Sequence, residues 1–177
     1  MRSAALAVGA LLIAVSLGGC SLVGSSAKPK ATSTPPSALS ALFPTYPDPL
    51  TEATAKSGTV RAANAIQALL EKAEIVHVDD QSKQVAATST TGAFYGVERA
   101  ITTTSGFDVM SQATAMEKLL VQAGWIERAT NTSTTAYTVQ LTAATSVGPS
   151  ALFLEADASV TASPVILIEI ESPDLPK

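Results

Sequence analysis

Asp108-Val109-Met110-Ser111-Gln112-Ala113-Thr114-Ala115-Met116-Glu117-Lys118-Leu119-Leu120-Val121-Gln122-Ala123-Gly124-Trp125 is the stretch on which the fold turns. Ala113, Met116, Leu119, Leu120 and Ala123 recur at spacings of three and four, so a helix through about residue 123 would carry them as one apolar stripe. Two residues, Asp108 and Ser111, are placed to cap its free N–H groups. Gly124 sits where a left-handed residue closes many helices, and Trp125 just beyond it is placed to fold back onto Leu119 or Leu120.

On both sides of this helix the apolar period falls to two. Before it, Tyr95, Val97, Arg99 and Ile101 share one face of a strand over 94–103, which Ser105-Gly106-Phe107 breaks. After it the spacing predicts strands over 125–130, 137–143, 151–160 and 164–171. Tyr137, Val139 and Leu141 share a face of the second, and Leu152, Leu154, Ala156 and Val160 a face of the third, which leaves Glu155 and Asp157 to solvent. Val165 to Ile168 is apolar on both faces, the mark of a central strand.

Upstream, Ala62, Ala65, Ile66, Leu69, Leu70 and Ala73 predict another helix over 51–73, weakened in its first half by Gly58. Ile75-Val76-His77-Val78 then reads as a strand, 79–83 as a turn, and 84–90 as the partner strand of a hairpin. The lead-in 39–50 carries Pro44, Pro47 and Pro49 and is expected to be ordered but not helical, with Leu42, Phe43 and Tyr46 packed on the domain. The order predicts an α+β fold: a single small domain over 39–177, with a mainly antiparallel sheet and two helices packed on one face.

What precedes the domain has a different character. Residues 20–38 are rich in Ser, Thr, Pro, Ala and Lys and offer little to bury, so they read as a disordered linker. At ~3.1 Å per residue in polyproline II, such a segment stands a domain off by up to about 60 Å. Residues 1–19 combine Arg2 with an apolar run of roughly 14 residues, short for a ~30 Å hydrocarbon core, and read as a secretory signal peptide. The run closes in Leu17-Gly18-Gly19-Cys20, and Cys20 is the only cysteine.

Leu17-Gly18-Gly19-Cys20 resembles the lipobox of bacterial lipoproteins. The resemblance covers the first 20 residues and implies peptidase recognition of Leu17, Gly18 and Gly19, cleavage before Cys20, and a diacylglyceryl group on the Cys20 thiol. The new amine would then be open to acylation. It further implies a mature protein anchored at the extracytoplasmic face of a cell membrane without spanning it. A lone thiol cannot form an intramolecular disulfide, and lipidation accounts for its isolation. The composition, low in lysine and high in alanine and threonine, is similar to that of actinobacterial secreted proteins.

Charge and motifs narrow the function. The net charge is -4, and loss of Arg2 with the leader takes it to about -5. No basic stripe exists for a nucleic acid. His77 is the only histidine, and with Asp79 two residues on it allows a base oriented by a carboxylate, but no Gly-x-Ser-x-Gly elbow accompanies it. The acid pairs Asp79-Asp80, Glu155/Asp157 and Glu169/Glu171 lack the loop pattern of a calcium site and read as solvated strand faces; one histidine and one lipidated thiol leave no zinc set. Asn131-Thr132-Ser133 is a formal glycosylation sequon that here reads as a polar turn. The chain is too short for a two-lobed solute-binding protein.

The expectation is therefore a non-catalytic binding or accessory lipoprotein of the cell envelope. Its partners would be the membrane, through the anchor, and another envelope protein or a small ligand, with no cofactor beyond the covalent diacylglycerol on Cys20. Phe94, Tyr95, Trp125 and Tyr137 are the aromatics to examine for an exposed cluster. The alternative is a small envelope hydrolase using His77 with Asp79.

Overall fold

The computed structural model describes residues 36–85 and 92–176, so the signal peptide with its lipobox, Cys20, the linker through residue 35 and residues 86–90 of the expected second hairpin strand lie outside the described residues. The chain runs α1 (Pro36–Leu42), α2 (Glu52–Gln67), a 3-10 turn (Lys72–Glu74), β1 (Ile75–Asp80), β2 (Lys83–Val85), β3 (Phe94–Thr103), α3 (Val109–Ala123), β4 (Ile126–Thr132), β5 (Ala136–Thr145), β6 (Gly148–Asp157) and β7 (Val165–Glu171). The strands form one antiparallel sheet in the order β1-β3-β7-β6-β5-β4, with β2 also paired to β3. The fold is α+β, with three helices where two were expected.

Alternation decides which side of the sheet the helices cover. Tyr95, Val97, Ile101, Val139, Leu141, Leu152, Leu154, Ile166, Ile168 and Ile170 all point inward and are buried beneath α2 and α3. β7, apolar on both faces, sits between β3 and β6 as a central strand. The meander β4-β5-β6-β7 ends beside β3, while α3 carries the chain from β3 to the far edge at β4.

The helix ends follow from local chemistry. Asp108, not Ser111, caps α3: its Oδ1 accepts from Ser111 N at 3.0 Å and its Oδ2 from Ser111 Oγ at 2.7 Å, and these bonds hold its carboxyl below the usual range. Gly124 takes φ 112°, and the N–H groups of Gly124 and Trp125 bond Val121 and Leu120 carbonyls, the paired closure of a Schellman turn. Thr51 caps α2 in a reciprocal box with Thr54.

Four expectations need correction. First, α2 ends at Gln67, not at 73, because Leu69 and Leu70 N–H groups bond carbonyls three residues back and tighten the chain into a turn that still buries Leu70. Second, residues 36–42 are helical, so the last three residues of the expected linker, 36–38, join the start of the lead-in in one helix. Pro36 stands at its first position, where a missing N–H costs no helical bond, and the first lead-in residue that a following proline restricts is Phe43, just past the end of α1.

Third, 79–83 is not a reversal. Asp79 and Asp80 continue β1, and β2 resumes along the same neighbour, with Asp80 opposite Arg99 and Lys83 opposite Gly96. Ser82 N donates to Asp80 Oδ1 at 3.0 Å, which kinks the edge without turning it, while Gln81 N stays bonded to Glu98 O at 2.9 Å. Fourth, β6 ends at Asp157, and Val160 lies 58% exposed in the loop beyond, where the chain turns before β7.

Among the described residues one charged side chain is buried in the core. Arg99 is 6% exposed; its Nε donates to Asp80 Oδ2 at 2.9 Å and its Nη1 to Gln67 Oε1 at 3.1 Å. Burial pushes Asp80 up, but the Ser82 hydrogen bonds and Arg99 outweigh it and hold the carboxyl below its ordinary value.

Candidate functional site

With one face sealed by helices, the other face of the sheet is the surface left for function. Register places its residues in rows across the strands. One row reads Glu98, Glu169, Phe153, Gln140 and Ala129 from β3 to β4. The next reads Lys83, Gly96, Glu171, Ala151, Thr142 and Ile126. On the other side Asp79, Ala100, Leu167, Glu155, Thr138 and Asn131 form a third.

A shallow recess of about 390 Å³ lies in the first two rows, lined among others by Arg128, Gln140, Thr142, Phe153, Glu169 and Glu171. A register shift between Glu127 and Ala129 interrupts the β4–β5 ladder there, and Arg128 within it donates from Nε to Thr142 Oγ1 at 2.8 Å. Phe153 stands directly between Gln140 and Glu169. The result is an aromatic floor with an arginine on one side and carboxylates on the other.

The carboxylates crowd one another. Burial, then Glu169 and Asp174, raise the Glu171 carboxyl above its ordinary value. A carboxyl raised by folding costs stability where it is ionised, and the cost disappears as pH falls and both folded and unfolded chains bind the proton. Glu171→Gln is therefore expected to stabilise the protein at neutral pH, with the gain vanishing in acid. Urea unfolding of both proteins across pH 4 to 8 checks this, and a loss of stability at neutral pH would contradict it.

The residues singled out from sequence are scattered. His77 and Asp79 do share the open face, opposite Thr102 and Ala100, but Asp79 Oδ2 accepts from Gln81 Nε2 at 3.2 Å, and both lie on the outermost strand. From there to β6 is three strand spacings, about 14 Å. Glu155 and Asp157, like Glu169 and Glu171, point to the open side. Among the described residues no group of three His, Cys, Asp or Glu side chains is placed to hold a metal. Asn131 and Thr132 are exposed at the end of β4, before a turn.

The four aromatics do not form an exposed cluster. Trp125, Tyr95 and Tyr137 are buried, and Phe94 is half-buried. Tyr137 donates its hydroxyl to Glu117; burial first, and that carboxylate second, raise its pKa. Phe153, Gln140 and Arg128 were missed. The signal for Phe153 was present: an aromatic in the same alternation phase as Glu155 and Asp157 is an aromatic on the solvent face. No protein-family model, curated protein or solved structure matches the chain.

Proposed function

We propose that this chain is a membrane-anchored extracytoplasmic lipoprotein of the cell envelope, with a non-catalytic binding or accessory role that its open sheet face performs. The anchor rests on Leu17-Gly18-Gly19-Cys20 behind an apolar run. The observation that carries the binding role is the asymmetry of the sheet: helices seal one face, and the other bears a recess of mixed aromatic, cationic and acidic lining. Two acyl chains at ~0.8 kcal/mol per buried methylene would hold the protein firmly, and the linker would give the face room to meet a partner.

Intact mass and membrane partition of the protein expressed in a bacterium, beside Cys20→Ser, test the anchor. The expected result is a chain beginning at Cys20 with a diacylglyceryl increment, and a variant that leaves the membrane or fails to mature. A soluble protein with an unmodified thiol would overturn it.

A further inference from the structure

We propose, building on that reading of the open face, that it docks a basic, extended segment of a partner protein, with lysine or arginine head groups meeting Glu98, Glu169 and Glu171 and their aliphatic stems lying on Phe153. Asp79, Glu98, Glu155, Asp157, Glu169 and Glu171 all lie on this face by register, against Lys83 and Arg128. On the helix side Asp80 is paired with Arg99 and Glu117 accepts from the Tyr137 hydroxyl, whereas on the open face Asp79 and Asp157 accept only from neutral groups, Gln81 Nε2 and Ser159 N. Among the described residues Arg99–Asp80 is the only ion pair, so the carboxylates of the open face have no cation of their own.

Their arrangement sharpens the point. Glu98 stands directly opposite Glu169, and Glu171 follows two residues along the same face of β7. Like charges directly opposed across strands are unfavourable, so the fold carries a repulsion here that an external cation relieves.

Geometry selects an extended chain over a lone ion. Alternate residues of a strand repeat at about 6.7 Å, so Glu169 and Glu171 present charges at the spacing at which an extended peptide presents every second side chain. Phe153, beside Glu169 and flanked by Leu167 and Ala151, gives the aliphatic stems of those same lysines an apolar surface to lie on. The same charge disfavours the other occupants. Two acidic faces repel, which argues against a second copy, and an anionic lipid surface is repelled likewise.

The probe is a fluorescent nine-residue peptide of alternating lysine and valine, with glutamate replacing lysine in its counterpart, titrated by anisotropy against the full chain in nonionic detergent. The lysine peptide is expected to bind, more weakly as salt rises, and the glutamate peptide not to bind. Glu98→Gln/Glu169→Gln/Glu171→Gln is expected to weaken binding about tenfold or more, and Phe153→Ala to weaken it severalfold, while Glu52→Gln/Glu71→Gln leaves it unchanged. The triple variant removes repulsion, and its melting curve verifies that it folds.

No binding, or equal binding to wild type and triple variant, overturns the proposal. So does self-association that the triple variant abolishes, which puts a second copy on the face. Binding seen only after Lys28→Ala/Lys30→Ala would put the chain's own linker there and overturn it as well. The titration does not depend on acylation of Cys20, so failure of the anchor and failure of the docking face are separate results.

Discussion

Trp125→Ala is expected to destabilise the domain by about 3–5 kcal/mol, the largest loss from any single side chain considered, because a fully packed indole is replaced by a cavity. Trp125 is 2% exposed and follows the glycine that closes α3. Its Nε1 donates to Leu42 O at 2.9 Å, and its ring lies 6.2 Å from that of Phe43 at 59°. Leu42 is the last residue of α1, whose final carbonyls have no partner within the helix, so the indole serves as a C-terminal cap for a helix from the other end of the chain. Urea unfolding measures the loss. Trp125→Phe separates the two contributions: it retains apolar volume but leaves the Leu42 carbonyl without its donor, at about 1–3 kcal/mol. Amide exchange in that variant is expected to speed up in α1 first. A loss under about 1 kcal/mol for Trp125→Ala would mean that α1 is held by something other than the indole.

The same residue shows what sequence can and cannot give. The helix over 108–123 was legible because its cap, stripe and left-handed glycine are all local, each a matter of three or four residues. The contact of its ring with Phe43 was not, since sequence proximity offers only neighbours such as Leu119 and Leu120, and Phe43 lies more than eighty residues away in the chain. The misread hairpin has a related cause. Asp79-Asp80-Gln81-Ser82-Lys83 has turn composition, and Ser82 does bond Asp80 as in a turn. The chain instead stays paired along β3, through Arg99 on Asp80, Gln81 N on Glu98 O and the β2 ladder, contacts that composition does not display.

For the candidate site the balance differs. The acids on the strand faces were legible from period two, and the central place of β7 from a run apolar on both faces. Their convergence was not, because Glu98 and Glu169 become neighbours only when the meander returns β7 to the side of β3. The His77–Asp79 pair shows the reverse. Two residues on one strand face are recognisable from sequence, but the bond from Gln81 that occupies Asp79 follows from the kink in the edge. Local pattern thus supplied candidates, and topology sorted them.

Gly58→Ala is expected to destabilise by about 1–2 kcal/mol, opposite in sign to what helix propensity alone predicts. In the interior of α2, alanine is favoured over glycine by ~1 kcal/mol, so on sequence grounds Gly58 is a weak point to be repaired. In the structure an added Cβ would lie 2.5 Å from Tyr46 Cδ1, 2.6 Å from Tyr46 Cε1 and 2.9 Å from Thr45 O, closer than carbon atoms pack. Neither neighbour is free to retreat. Tyr46 is 5% exposed, and its hydroxyl bonds Thr59 Oγ1 at 3.2 Å and Ser150 Oγ at 3.3 Å, while Arg61 Nη2 holds Thr45 O at 2.8 Å. Overpacking of about 1–3 kcal/mol or more therefore outweighs the propensity gain. The cycle with Tyr46→Ala isolates the cause: once the ring is gone, Gly58→Ala should cost much less than in the wild type, by urea unfolding of all four proteins. If Gly58→Ala stabilises the wild-type chain instead, the lead-in is not seated against α2 as described. If its cost is the same with and without the Tyr46 ring, the clash lies with the Thr45 carbonyl and the ring is the pliant partner.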